Sequence, residues 1–348
     1  HVMLRMPAFG RAKNFMGLFD WLKSKAQKAD ASQPNAKKTD ASYLAEGLPA
    51  INDVGALAAF LGVKPGWLFH RARDGMEGLY KQFEIPKRAG GKRTIQAPKK
   101  FLKTMQRKIL REILDKVPVH AACHGFVKGT SIVSNATPHV GKYVIVTCDI
   151  ADFYPSIRFS RIFGVFRALG YSRKVSYFLA HVCTAKPSPK ATRRLPQGAP
   201  TSPALANLVC FDLDNRLARL AEKFGADYTR YADNMTFSGD RKFYRSLKRF
   251  LPLLKKIVSS ERFHLNKAKT RVRKSSNAQI VTGVVLNKKV NVPREYLRML
   301  RCAINYINKG KTFRYGGKEL NIASVKGMIS YVQQVNPERA KKLQAMLR

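Results

Sequence analysis

The sequence predicts an α+β chain, and three observations predict it. Strand-like runs occur at residues 143–148, on both sides of Asp233-Asn234 and on both sides of Gly90-Gly91. Amphipathic helical stretches separate them. The 348 residues are 45% hydrophobic and 10% aromatic, enough to bury the cores of two or three subdomains. Lys and Arg number 65 against 22 Asp and Glu, a formal charge of +43 that calls for a polyanionic partner. Charge alone would equally suit a ribosomal or membrane-surface protein. No stretch nears the roughly 18 apolar residues of a membrane helix, so no membrane partner is expected. The start also lacks a signal-peptide core, which suggests a cytoplasmic protein, and His1-Val2 reads as a remnant of tag cleavage. Five scattered cysteines without a CxxC pair are expected reduced and mostly buried.

Residues 1–47 read as an extension and linker: an amphipathic 15–22, then 23–40 with almost no large apolar residue. A small helical module follows at 48–79, with Val54, Leu57, Ala58 and Leu61 at helical spacing before Gly62 and a second helix near Trp67. The runs around Gly90-Gly91 read as a hairpin whose turn clusters Lys87, Arg88, Lys92 and Arg93. The next helix places Phe101, Met105, Ile109 and Ile113 on one face. Residues 143–148 (YVIVTC) lack polar alternation, as suits a strand covered on both faces, and deliver Asp149 to its end. Ser202-Pro203 reads as a serine cap with proline in the first turn, opening a helix whose leucines run from Leu205 to Leu220. Asp233-Asn234 taken alone is a good type I′ turn, since both residues tolerate positive φ. Ile280 to Leu286 with Val290 to Val292 suggest another hairpin. Arg294 then opens a final helical region, broken near 314–318.

Three features stand together: Asp149 after a buried strand, LPQGAPTSP at 195–203 before a helix, and YADN at 231–234 between strands. Nucleotidyl transfer needs carboxylates converging from separate elements on a pair of magnesium ions, and Asp149 and Asp233 are suited to supply them. The isolated alternatives are a plain turn and a solvated acid.

In these residues the sequence resembles the reverse transcriptases, within them the bacterial retron type. IPKRAGGKRTI at 85–95 and HGFVKGTS at 124–131 look like fingers motifs, CDIADFYPSI at 148–157 like the first catalytic palm motif. LPQGAPTSP looks like the nucleotide-pocket motif, YTRYADN at 228–234 like the second catalytic motif, and Leu265-Asn266 with Lys269-Thr270 like the one after it. Asn135 to His139 resembles the retron NAxxH motif and Val281-Thr282-Gly283 the VTG motif. The resemblance implies a right-hand polymerase with fingers at 80–140, palm at 141–280 (158–195 partly fingers) and a mainly helical thumb at 281–348.

By position it implies that Asp149 and Asp233, with the Ile150 backbone and Asn234 in the catalytic pair's second place, hold two Mg2+ ions. Tyr154, with Asp152 and Phe153 beside it, would lie at the incoming sugar and favour deoxynucleotides. Gln197 and Gly198 would line the dNTP pocket, Arg93 and Lys87 grip the triphosphate, and Lys269 protonate the pyrophosphate. Asn135, His139, Val281, Thr282 and Gly283 would contact RNA or scaffold, and the Arg294, Arg298 and Arg301 face of a thumb helix would meet a duplex. Implied partners are a structured noncoding RNA serving as template and primer, an RNA-DNA hybrid and single-stranded DNA product, and an effector protein in phage defence.

The family motif ends in two aspartates; here the second is Asn234. An engineered inactivating substitution is the leading explanation, with a natural variant as the alternative, so this chain is expected to bind RNA but polymerise weakly. The rival readings are a group II intron-like enzyme and a noncatalytic nucleic-acid scaffold restraining a toxin.

Overall fold

The computed structural model describes residues 44–86, 90–188 and 190–347. The expected linker at 23–40, the amphipathic 15–22 and Lys87 lie outside them. The described residues form two compact units, each assembled from separated stretches of chain: one from those up to 118, within 158–201 and at 208–215, the other from 119–157, 202–207 and those from 216 onward. Residues 119–140 fall in the second of these units.

In the first unit, α1 (Val54–Leu61) starts at Asp53, whose carboxylate accepts from Ala56 N, and stops at Gly62 with φ 72°. Then come α2 (Pro65–Asp74) and the hairpin of β1 (Tyr80–Pro86) and β2 (Lys92–Pro98), whose register pairs Pro86 with Lys92. Gly90 and Gly91 supply its positive φ, as the sequence suggests. The helix α3 (Lys100–Glu112) buries Leu102, Met105, Gln106 and Ile109. Phe101 is the exception to the expected face: it is exposed and meets Trp67 edge-on at 5.4 Å. Two further helices, α4 (Phe159–Ala168) and α5 (Arg173–Cys183), complete the unit's core.

The second unit is built on an antiparallel sheet in the order β4-β5-β3-β6: β3 (Val144–Asp149), β4 (Ala226–Tyr231), β5 (Asn234–Gly239) and β6 (Arg271–Lys274). β3 lies inside the sheet with five of its residues apolar or small and largely buried, which accounts for its lack of alternation. The helix expected from Ser202 divides at Cys210 into α6 (Ser202–Val209) and α7 (Phe211–Lys223), and Ser202 lies inside the first turn rather than capping it. α8 (Arg241–Ser260) packs Phe243, Leu247, Phe250 and Leu254 on the sheet side.

Beyond β6, the hairpin is tighter than expected. β7 (Ile280–Val281) and β8 (Val284–Val285) close around Thr282-Gly283, both at positive φ, and Val290–Val292 contributes only a bridge from Asn291 to Val285. A β-branched residue at φ 46° is strained, and Thr282 Oγ1 donates to Ile132 O at 3.3 Å. The last region comprises α9 (Arg294–Asn308), a short hairpin of β9 (Phe313–Tyr315) and β10 (Lys318–Leu320), α10 (Ile322–Val335) and α11 (Pro337–Met346). Leu297, Leu300, Ile304, Val325, Ile329 and Val332 share one buried cluster, the apolar side of this mainly helical region.

Candidate active site

The sheet brings the two expected catalytic segments side by side. Register pairs Asp149, the last residue of β3, with Asn234, the first of β5, and Ile150 N donates to Asp233 O at 2.9 Å. The two-residue turn is therefore Ala232-Asp233, one position earlier than the sequence suggests. Ala232 has φ 56° while Asp233 does not have positive φ, so the turn is not type I′. Asn234 lies in the ladder rather than at the tip.

Both oxygens of Asp149 are engaged: Asn234 Nδ2 donates to Oδ1 at 3.0 Å and Lys269 Nζ to Oδ2 at 2.6 Å. A carboxylate can only accept, so the amide must turn its nitrogen toward Asp149. That leaves Asn234 Oδ1 buried with no hydrogen-bond partner among the described residues. Such an orphaned oxygen, beside the Asp149 carboxylate and next in sequence to Asp233, is a donor set that fits a hard divalent cation, although the amide brings no charge. Lys269 would have to release Oδ2 for a cation to bind there. No cluster of three or more His, Cys, Asp or Glu occurs among the described residues, consistent with asparagine at 234.

Around this pair, Tyr154 feels the Asp233 charge. Burial first, and that charge second, push its phenol up to about 12, so it stays neutral at physiological pH. It follows Asp152, exposed with a left-handed backbone (φ 43°), and Phe153, buried against Phe263 at 6.0 Å. Burial likewise raises the Cys148 thiol to about 11, with the Asp149 charge adding to it, so no thiolate forms beside the carboxylates.

Sequence reasoning missed the support under the turn. Arg230 is fully buried, and its Nη1 donates to Ala232 O at 3.0 Å and Asn207 Oδ1 at 3.1 Å. Asn207 Nδ2 donates in turn to Gly125 O at 2.8 Å. A Cβ on Gly125 would lie 2.5 Å from Ala232 N, so only glycine permits this approach. Arg230 also exchanges backbone bonds with the same segment, donating to Ala122 O and accepting from His124 N. One signal was available: an arginine inside a strand otherwise reading as buried.

Asn135 and His139, expected at RNA or scaffold contacts, are both buried. His139 is fully buried, with Nδ1 at 2.7 Å from Ser238 Oγ and Nε2 at 2.8 Å from Thr229 Oγ1. Thr229 Oγ1 donates to Asn135 O, so it accepts from His139, which fixes the tautomer as Nε2–H with Nδ1 accepting from Ser238. The imidazole braces β4 against β5. Burial, and after it the Lys142 and His124 charges, lower it to about 3. Val281 is buried as well; Thr282 is half-buried and Gly283 exposed.

Gln197 and Gly198 belong to the first unit, where Gln197 O accepts from Gln96 N at 2.8 Å and Gly198 (φ 123°) approaches Ile95 and Gln96 O too closely for a side chain. Arg93 is exposed on β2. Arg294, Arg298 and Arg301 line the exposed side of α9, opposite Leu297 and Leu300.

A four-stranded antiparallel sheet with metal-suited side chains on adjacent strand ends, flanked by helices, is the palm of a right-hand polymerase. The family model "Reverse transcriptase (RNA-dependent DNA polymerase)" matches residues 85–299. The chain belongs to the reverse transcriptase family of RNA-directed DNA polymerases, in its bacterial retron branch. It is 40% identical over 313 residues to the Retron Mx65 reverse transcriptase of Myxococcus xanthus, covering 85% of this chain and 71% of that one. Similarity to the Retron Ec86 reverse transcriptase of Escherichia coli is 37% over 270 residues, covering 76% and 79%. Among solved structures, a Candida albicans telomerase in complex with a telomeric RNA fragment aligns at TM-score 0.45 and 12% identity, over 76% of this chain and 56% of that one. No helix among the described residues is long and apolar enough to cross a membrane.

Proposed function

We propose that the chain acts on a structured noncoding RNA and builds from it a branched, RNA-linked single-stranded DNA, as part of a phage-defence system with a separate effector protein. The observation that carries the chemistry is the cross-strand pairing of Asp149 with position 234, next to Asp233. Asp149 and Asp233, with the Ile150 backbone, would hold divalent magnesium, which supplies charge stabilisation for phosphoryl transfer when bound. The neutral Tyr154 ring would sit against the deoxyribose. Gln197, Gly198, Arg93 and Lys87 would bind the dNTP, and Lys269, freed from Asp149, would stand ready to protonate the leaving group. The exposed Arg294, Arg298 and Arg301 would meet the hybrid duplex, and Thr282 and Gly283 the RNA.

Asn234 weakens this centre in a specific way. The amide satisfies Asp149 by a hydrogen bond that needs no ion, whereas aspartate there would oppose carboxylate to carboxylate and require a cation between them. This observation also favours a second reading, a binding scaffold without catalysis. Magnesium-dependent primer extension on an RNA template, run on this chain and on Asn234→Asp, separates them. We expect Asn234→Asp to raise extension about a hundredfold and to gain more thermal stability from added Mg2+ than the parent does. Equal robust extension by both would refute impairment. No extension by either, with tight RNA binding and no magnesium-dependent stabilisation, would favour the scaffold.

A further inference from the structure

The first unit holds an open cavity of about 1440 Å3 that the polymerase reading does not use. Its walls are aromatic: Phe159 and Phe163 lie 6.4 Å apart and within 15° of parallel, and Tyr177 meets Phe159 edge-on at 5.7 Å. Phe69 is 56% exposed and Tyr177 40% exposed. Single exposed rings need no explanation, but several lining one concavity form a patch that soluble proteins keep for a ligand.

Charge narrows the ligand. Arg173 and Lys174 stand exposed in the first turn of α5, at the cavity's rim, with no acid in that turn. Cations there oppose the helix dipole, a local cost that an anion would relieve. The lining carboxylate of Asp53 is occupied in capping α1. Flat apolar faces beside paired cations match a chain of unpaired nucleobases, whose rings stack and whose phosphates need positive charge.

We propose that this cavity binds a single-stranded segment of nucleic acid, stacking its bases on Phe69 and Tyr177 and setting its phosphates against Arg173 and Lys174. The inference rests on the reading that this chain handles RNA and DNA, and adds a second contact site outside the palm. Unpaired RNA and single-stranded DNA offer the same chemistry, so both are tested.

The experiment measures fluorescence anisotropy of the full chain with an unstructured RNA of about a dozen nucleotides, the same sequence as DNA, and the RNA-DNA hybrid. Phe69→Ala/Tyr177→Ala should weaken single-strand binding about 10- to 100-fold, leave the hybrid within about twofold, and keep the salt slope. Arg173→Gln/Lys174→Gln should instead flatten the single-strand salt slope by about 1.4. Tyr177→Phe should bind as the parent does, because the ring is retained. A loss confined to RNA or to DNA identifies the source, and either supports the site. Unchanged single-strand affinity in the aromatic variant, with the parent binding well, overturns the cavity proposal and leaves the polymerase reading intact. A parent that binds none of the three probes at low salt overturns both.

Discussion

Two antiparallel hairpins in this chain are held in opposite ways. The hairpin of β1 and β2 pairs seven residues on each strand, yet nearly all of β1 is exposed, including Phe83 and Ile85, and Gly90 and Gly91 ahead of β2 have positive φ. The palm hairpin of β4 and β5 pairs six, and its short turn has alanine at positive φ. Its shape comes from outside: Arg230 holds the Ala232 carbonyl, Asn207 links Arg230 to Gly125, and Gly125 presses on the Ala232 peptide. A glycine turn can adopt its conformation alone and remain adaptable. A turn enforced by buried neighbours holds Asp233 in one place.

The sharpest way to break this contrast is Gly125→Ala. Its Cβ would meet backbone rather than a flexible side chain, so the Ala232-Asp233 turn must shift. We expect about 1–3 kcal/mol of destabilisation in denaturant titration, and loss of most extension activity when built on Asn234→Asp. Wild-type stability and extension in that variant would show that the turn is not held from outside.

A smaller effect should come from acid. His139 ties β4 to β5 as a neutral ring, with its proton affinity lowered from 6.5 to about 3. The unfolded chain binds a proton more readily, so this group's contribution is fully present above about pH 6.5 and declines as pH falls toward 3. His181 of the first unit, lowered to about 4 by burial and then by Arg193 and Lys186, adds a loss of the same sign. Melting temperature followed across this range should fall steeply, and His139→Gln should flatten part of the decline. An unchanged pH profile in His139→Gln would remove the imidazole from the account.

The smallest effect is expected in the β1–β2 hairpin. Gly90→Ala meets nothing within 4 Å among the described residues, and the strain of φ 86° opposes it by about 1 kcal/mol. Stability should drop by that amount with RNA binding unchanged; a loss as large as that of Gly125→Ala would erase the distinction between the hairpins.

Much of the candidate site was legible because its residues sit at element boundaries that pattern reveals: Asp149 after an unbroken apolar run, Leu195 to Pro203 before a leucine-rich helix. The turn was read one residue late because Asp and Asn advertise positive φ whereas alanine does not, and here alanine adopts it under tertiary force. Gly125, Asn207 and Arg230 were invisible as a group, since they are separated by up to 105 residues and meet only in the fold. The same holds for His139, whose partners Thr229 and Ser238 lie 90 and 99 residues away. The face of α3 was misjudged at Phe101, because the buried stripe runs through Leu102, Met105, Gln106 and Ile109 and leaves Phe101 at its outer edge.

No disulfide joins the five cysteines; four are buried and Cys302 is exposed, on the helix that carries Arg298 and Arg301. A thiol-reactive fluorophore added to the native protein should therefore attach at one place without any cysteine being engineered away. The chain carries its own attachment point for following, one molecule at a time, how that helix responds as a nucleic-acid strand arrives and departs.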